Sequence, residues 1–373
     1  MNNSNEPLAF SNAVRLSAGQ WLGIAIFAIA FVVAAPSLWN RYEEFTPDAD
    51  YRIPLKLRQD YWLFERYAGL AAREYEAVIL GDSVMWGEYV LRGETLSHYL
   101  NQQAGKPQFA NLGLGAAHPL ALAGLIEHYS SGVRNATVIL HCNPLWLSNP
   151  KADLQDPEFK EFAHPDLVPQ FWPHLPPYPV PWFPDNPDDK QKISQRLGIV
   201  VEQRVPFNKW TRHLQHAYYG GESIPSWTLQ HPYDNPLEPM TRGLPVENEK
   251  RRYEVRPWYK DRKREDYPWV DMGTSLQWPA FQRAVEILKG RGNRVFVIVG
   301  PLNEHMMTPA SLGRYQKVKA TISAWLAEKQ VPHIVATVLP SEVYGDASHP
   351  FAAGYEMLAR QLREDPTFRE MIR

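Results

Sequence analysis

Residues 77–83 read AVILGDS, a short aliphatic run that gives way at once to Gly81, Asp82 and Ser83. Aliphatic side chains at every position, rather than alternate ones, suit a strand buried on both faces, as in a parallel sheet. Gly81 permits a sharp turn at the carboxyl end of that strand, where sites gather in open α/β sheets, so Ser83 could present its hydroxyl to a crevice. The competing reading is local: Ser83 caps the segment that follows it.

Downstream, the spacing predicts a helix near 95–103, a short strand near 109–112, a helix near 119–130 and a second aliphatic run, ATVILH at 136–141, that ends at Asn143-Pro144. The regular pattern resumes with a helix near 276–289, a strand at 294–299, a helix near 312–329, a strand near 333–336 and a last helix from about 350 to 363. Alternating strands and helices predict an α/β sheet with crossover helices. Between the two halves, FWPHLPPYPVPWFPDNPDD and tryptophans scattered from Trp172 to Trp269 change the character of the chain. So much proline excludes a central strand or a long helix, and the length exceeds a plain loop. Residues 150–270 therefore read as an insertion of loops and short helices packed as a subdomain.

Residues 21–39, WLGIAIFAIAFVVAAPSLW, form an uncharged run of membrane-spanning length with Trp21 and Trp39 at its two ends. A cleaved signal peptide is the competing reading; Ala34 and Ala35 favour it, while Pro36 and an amino-terminal region whose only base is Arg15 oppose it. The expectation is an uncleaved anchor. Arg15 on one side and Arg41 and Arg52 on the other set no orientation. The chain thus divides into a tail at 1–20, an anchor at 21–39, a stalk and lead-in helix at 40–75, a first α/β part at 76–149, the insertion at 150–270 and a second α/β part at 271–373.

Lys and Arg number 39 against 41 Asp and Glu, so the basic footprint of a nucleic-acid-binding protein is missing. A single cysteine, Cys142, rules out an internal disulfide framework and reads as a small buried apolar residue.

Near the C-terminus stands Asp346-Ala-Ser-His349-Pro350. A serine nucleophile needs a base within hydrogen-bond reach, and that base needs a carboxylate on its other ring nitrogen. Asp346 and His349, three residues apart in one loop, can meet both needs. Pro350 biases His349 to an extended conformation and is suited to open the next helix. The local alternative makes Asp346 a helix cap and His349 a surface residue.

Together, the two segments resemble the SGNH (GDSL-like) hydrolase and acyltransferase superfamily. GDSVMWGEYVLRGETLSHYLNQQAG, from residue 81, resembles its first block, with Ser83 at the nucleophile position, and DASHPFAAGYEMLARQL, from residue 346, resembles its last, with Asp346 and His349 completing a triad. ANLGLGAAH resembles the second block, whose glycine donates a backbone N–H to the oxyanion; Gly115 or Gly113 fits the spacing, and Gly115 is taken. For the third block, Asn143 is the matching side-chain donor, although His141-Cys142-Asn143-Pro144 stands where the family usually has Gly-x-Asn-Asp or Gly-x-Asn-Glu. The resemblance covers about residues 77–148 and 276–364.

That resemblance implies a flavodoxin-like three-layer sandwich with a central parallel sheet, needing no cofactor or metal. It implies a single-pass protein of the cell inner membrane, its catalytic domain periplasmic or extracellular. The expected activity is that of a serine esterase or O-acyltransferase on acetyl esters of an exported glycan, working beside a multi-span membrane acyltransferase. A non-catalytic accessory subunit of a membrane complex is the second expectation. Other residues weighed were His213 and His216, one helical turn apart, read as packing or surface residues rather than metal ligands, and Glu304-His305 at a sheet end. Aromatic residues of the insertion are expected to build its core before they stack on sugar rings.

Overall fold

The computed structural model describes residues 16–156, 163–171, 189–235 and 256–372; the proline-rich stretch at 172–188 and the tail at 1–15 lie outside them. In chain order the principal elements are α1 (Ala18–Tyr42), α2 (Tyr61–Glu74), β1 (Ala77–Gly81), the one-turn α3 (Ser83–Trp86), α4 (Leu96–Ala104), β2 (Phe109–Gly113), α5 (Pro119–Tyr129) and β3 (Thr137–Cys142). There follow α6 (Asp189–Arg204), α7 (Pro206–Tyr218), α8 (Ile224–Gln230), α9 (Gln277–Gly290), β4 (Arg294–Val299), α10 (Pro309–Glu328), β5 (His333–Val335), α11 (Ala352–Glu364) and α12 (Pro366–Met371).

The five strands form one sheet in the order β2-β1-β3-β4-β5, and every pairing is parallel. Alternation within the aliphatic runs divides the core in two. Val78, Leu80, Val138, Leu140, Val295 and Val297 face one layer, built from α2, α5, α9 and α10. Ala77, Ile79, Ile139, Phe296 and Ile298 face the other, built from α4, α11 and α12. Coverage of both faces is why β1 and β3 read as unbroken apolar runs.

The winding direction reverses between β1 and β3, which opens a crevice at the carboxyl ends of those two strands. Ser83 follows β1 and Asn143 follows β3, so both stand at that crevice.

Helix α1 runs 25 residues and is long and apolar enough to cross a membrane. Ser17 caps it, its hydroxyl accepting from the Gln20 N–H. Within the insertion, α6 and α7 are 16 and 13 residues long, longer than the short helices expected. The reason lies in proline placement: the only proline between Asp189 and Tyr218, Pro206, sits at the first turn of α7, where a missing N–H costs nothing. Near the C-terminus, α11 opens at Ala352 instead of Pro350, because Pro350 forms a β-bridge with Tyr344. α12 was not foreseen, although Asp365 caps it and Pro366 opens it.

Candidate functional site

Gly81 ends β1 with no room for a side chain: a Cβ there would lie 2.5 Å from Met85 Cγ and 2.7 Å from His141 Cβ. The chain then turns into α3, and the capping role falls to Asp82, whose carboxylate accepts from the Val84 N–H at 3.0 Å. Ser83 is therefore not needed as a cap. Its hydroxyl lies 2.8 Å from His349 Nε2, across 266 residues of sequence.

The other ring nitrogen of His349 faces Asp346, with Nδ1 2.8 Å from Oδ2 and 2.9 Å from Oδ1. A carboxylate can only accept, so Nδ1 carries the hydrogen and Nε2 is left to accept from the Ser83 hydroxyl. Asp346 does not cap α11. Its Oδ1 accepts the N–H groups of Ser348 and His349, each at 2.9 Å, and Tyr89 donates its hydroxyl to Oδ2 at 3.1 Å. From β4's loop, Asn303 donates to the Asp346 carbonyl at 3.0 Å. The loop and its carboxylate are thus fixed from three sides. Burial alone would raise Asp346, but His349 and the N–H donors outweigh it and hold the carboxyl far below its ordinary range. For His349, burial disfavours the charged ring, yet the Asp346 carboxylate more than compensates and its pKa is raised above 6.5.

Over the pair lies an open cavity of about 370 Å³, lined in part by Ser83, Ala116, Asn143, Trp146, Tyr267 and His349. Of the two expected oxyanion donors, Asn143 lines this cavity. Gly115 does not: its carbonyl accepts from His164 Nε2 at 2.8 Å, and the chain turns at the next residue, Ala116, which adopts a left-handed φ of 62° and faces the cavity instead. The N–H of Gly113, the other spacing match, donates to Asn111 at 2.9 Å. The Ser83 N–H, at the first residue of a helical turn, is one of the donors a helix leaves without an internal acceptor.

Asp82 carries more than a cap. Its Oδ2 accepts from the Asn143 side-chain amide at 2.7 Å and from Trp146 Nε1 at 2.9 Å, while Oδ1 lies 3.1 Å from His141 Nδ1. His141 Nε2 in turn reaches the Gly300 carbonyl at 3.0 Å. Burial opposes the charge on Asp82, but His141 and the Asn143 and Trp146 donors lower its carboxyl to about 2. An ionised, buried carboxylate therefore braces Asn143 and Trp146 against the floor of the cavity. Asp82, His141, Trp146 and Tyr89 were not singled out in the sequence. The available signal was a polar residue at the end of each of two adjacent buried strands.

The remaining candidates lie elsewhere. Glu304 pairs with Lys319 and His305 Nε2 contacts the Leu339 carbonyl, so neither lines the cavity. His213 is enclosed between Asp60 and Glu43, and among the described residues no group of three His, Cys, Asp or Glu is placed to hold a metal. Cys142 is buried, and burial pushes its thiol pKa well up. Of the insertion's aromatic residues, Trp258 and Trp269 pack into the core, whereas Tyr267 also reaches the cavity. Comparison of the chain with protein-family models and with curated proteins finds no match.

Proposed function

We propose that this chain is a membrane-anchored serine esterase or O-acyltransferase of the SGNH type, with a flavodoxin-like three-layer domain. Its substrates on this reading are acetyl esters of an extracytoplasmic glycan. The single observation that carries the reading is the Ser83, His349, Asp346 relay, with 2.8 Å at each link, opening into a cavity at the sheet's switch point. The strand order β2-β1-β3-β4-β5 is the flavodoxin-like one, in which ligands bind beside the β1/β3 switch point.

On this reading His349 Nε2 takes the Ser83 proton as Oγ attacks the ester carbonyl, and Asp346 stabilises the imidazolium that forms. The Ser83 N–H and the second amide hydrogen of Asn143, the first being held by Asp82, face the developing oxyanion. His349 then returns its proton to the leaving oxygen, which leaves an acyl group on Ser83. Water or a sugar hydroxyl, deprotonated by the same imidazole, resolves the acyl-enzyme. Trp146 and Tyr267 supply flat faces on which a sugar ring can rest.

The test is turnover of p-nitrophenyl acetate by the full chain in detergent, with and without oligosaccharide acceptors. Acetylated acceptor, formed by the parent chain and not by Ser83→Ala, supports transfer; acetate release alone supports an esterase. No Ser83-dependent turnover with either would overturn the reading.

A further inference from the structure

A second cavity, of about 530 Å³, lies between the end of α1, α2 and the start of α7, far in sequence from Ser83. Its volume is within the range of small-ligand sites. Helix α1 contributes Ser37 and Asn40 to its wall; Ser37 is the one hydroxyl in the run at 21–39. Arg66, Arg73 and Lys209 line it against one carboxylate, Glu65. Lys209 is bound to Glu65 at 2.8 Å, and Arg66 pairs with the buried Glu43. Arg73 is exposed and has no hydrogen-bond or ion-pair partner among the described residues. The cavity therefore presents an excess of positive charge with an unengaged guanidinium, a group suited to phosphate.

Its depth follows from the aromatic contacts of α1. Trp39 packs on Trp210 with ring centroids 5.7 Å apart, and Phe31 packs on Phe207 at 6.0 Å. Phe31 stands eight residues before Trp39, which is about 12 Å along a helix. The start of α7 thus lies alongside the apolar part of α1, and Trp39, Trp62 and Trp210 pack into one cluster near the end of the apolar run. Helix α6, which leads into α7, exposes Ile193, Leu197 and Val201 along one stripe. With α1 as a membrane anchor, the cavity, which takes in Ser37 and Asn40 beside the terminal Trp39, stands at the level of the lipid headgroups.

We infer that this cavity binds the phosphate-bearing headgroup of an anionic phospholipid of the membrane that α1 enters, with Arg73 as the principal contact and Ser37 and Asn40 as hydrogen-bond partners. The inference rests on α1 as a membrane anchor and not on the chemistry of Ser83. An anionic headgroup is favoured over a zwitterionic one because the wall carries no surplus carboxylate to meet an ammonium group.

The experiment uses the full chain and two readouts. Flotation with vesicles of phosphatidylglycerol and phosphatidylcholine reports insertion. Native mass spectrometry from detergent then reports retention of phosphatidylglycerol, phosphatidylcholine or inorganic phosphate by the parent, Arg73→Gln, Arg73→Lys and Ser83→Ala chains. The expected result is one retained phosphatidylglycerol, bound about tenfold more weakly by Arg73→Gln, as for loss of one charge-assisted hydrogen bond, to an intermediate degree by Arg73→Lys, which keeps the charge but not the planar fork, and about equally by Ser83→Ala. Inorganic phosphate held as tightly as the lipid would overturn the assignment to a lipid. So would insertion with no preference between the two lipids, or with no effect of Arg73→Gln. A chain that fails to float overturns the anchor reading and this site together, while turnover at Ser83 is measured separately and stands or falls by itself.

Discussion

Asn143 does not stand free at the cavity: its amide nitrogen lies 2.7 Å from Oδ2 of Asp82, the residue immediately before Ser83. The end of β3 is thereby tied to the turn after β1, and an anionic acceptor fixes the amide that the proposed reaction uses. Asn143→Ala should lower kcat by about 10²–10³ with little change in KM, the usual cost of one oxyanion donor. Asp82→Asn removes the charge that orients the amide and should lower kcat by a smaller factor. In an Asn143→Ala background Asp82→Asn should cost less than it does in the parent chain, because the hydrogen bond to Asn143 is one of those that Asp82 accepts. Additive losses in that double-mutant cycle would show that Asp82 does not act through Asn143.

Asp346 raises the pKa of His349 above 6.5, and a protonated imidazole cannot accept the Ser83 proton. The acid limb of kcat/KM should therefore fall above pH 6.5. Asp346→Asn removes the charge and leaves burial, which acts in the other direction. The limb should move to lower pH while kcat drops by on the order of 10³–10⁴. A limb that stays in place in Asp346→Asn would show that some other group sets it.

A different titration governs the attachment of α1. His213 lies 2.7 Å from Asp60 and 2.8 Å from Glu43, on which Arg66 and Tyr218 also converge. Burial works against the charged ring, but the two carboxylates raise its pKa to about 9. A pKa raised on folding contributes stability that is complete below about pH 6.5. That stability is lost as pH rises through about 9. The melting temperature of the full chain in detergent should decline over that interval. His213→Ala removes the cation shared by two buried carboxylates and should cost about 3–5 kcal/mol, with the alkaline decline weakened. Equal melting curves at pH 6 and 9 for the parent chain would contradict this.

Gly124 links the insertion to the site. It lies on α5 against the short turn Pro165–Leu167, and a Cβ there would meet the Leu167 carbonyl oxygen at 1.7 Å. His164, which holds the Gly115 carbonyl and accepts from the Tyr61 hydroxyl at 2.8 Å, immediately precedes that turn. Gly124→Ala should push the turn away, cost about 1–3 kcal/mol by overpacking, and displace the loop that carries Ala116. Thermal unfolding reads the first effect and the rate of acyl transfer to Ser83 the second; an unchanged rate would separate the two.

The parts of the fold most legible in the sequence were those buried on two sides. β1, β3 and β4 announce themselves because Val78 and Ile79, or Phe296 and Val297, point to opposite apolar layers and leave no polar position between them. The helices of the insertion were less visible, since their packing on α1 through Phe207 and Trp210 depends on contacts across more than 160 residues. At the site, the motif residues Ser83, Asp346 and His349 could be singled out because the chemistry restricts residue type. The left-handed turn at Ala116 could not, because alanine carries no signal for it. Nor could the buried Asp82 network, whose members are ordinary polar residues until the register of β1 and β3 brings them together.

The central claim is that Ser83 is an activated nucleophile, and covalent labelling by a fluorophosphonate tests it most directly. The folded parent chain should be modified at Ser83, with no labelling of Ser83→Ala and little of His349→Ala. A parent chain with an intact thermal transition that takes up no label at Ser83 would contradict it.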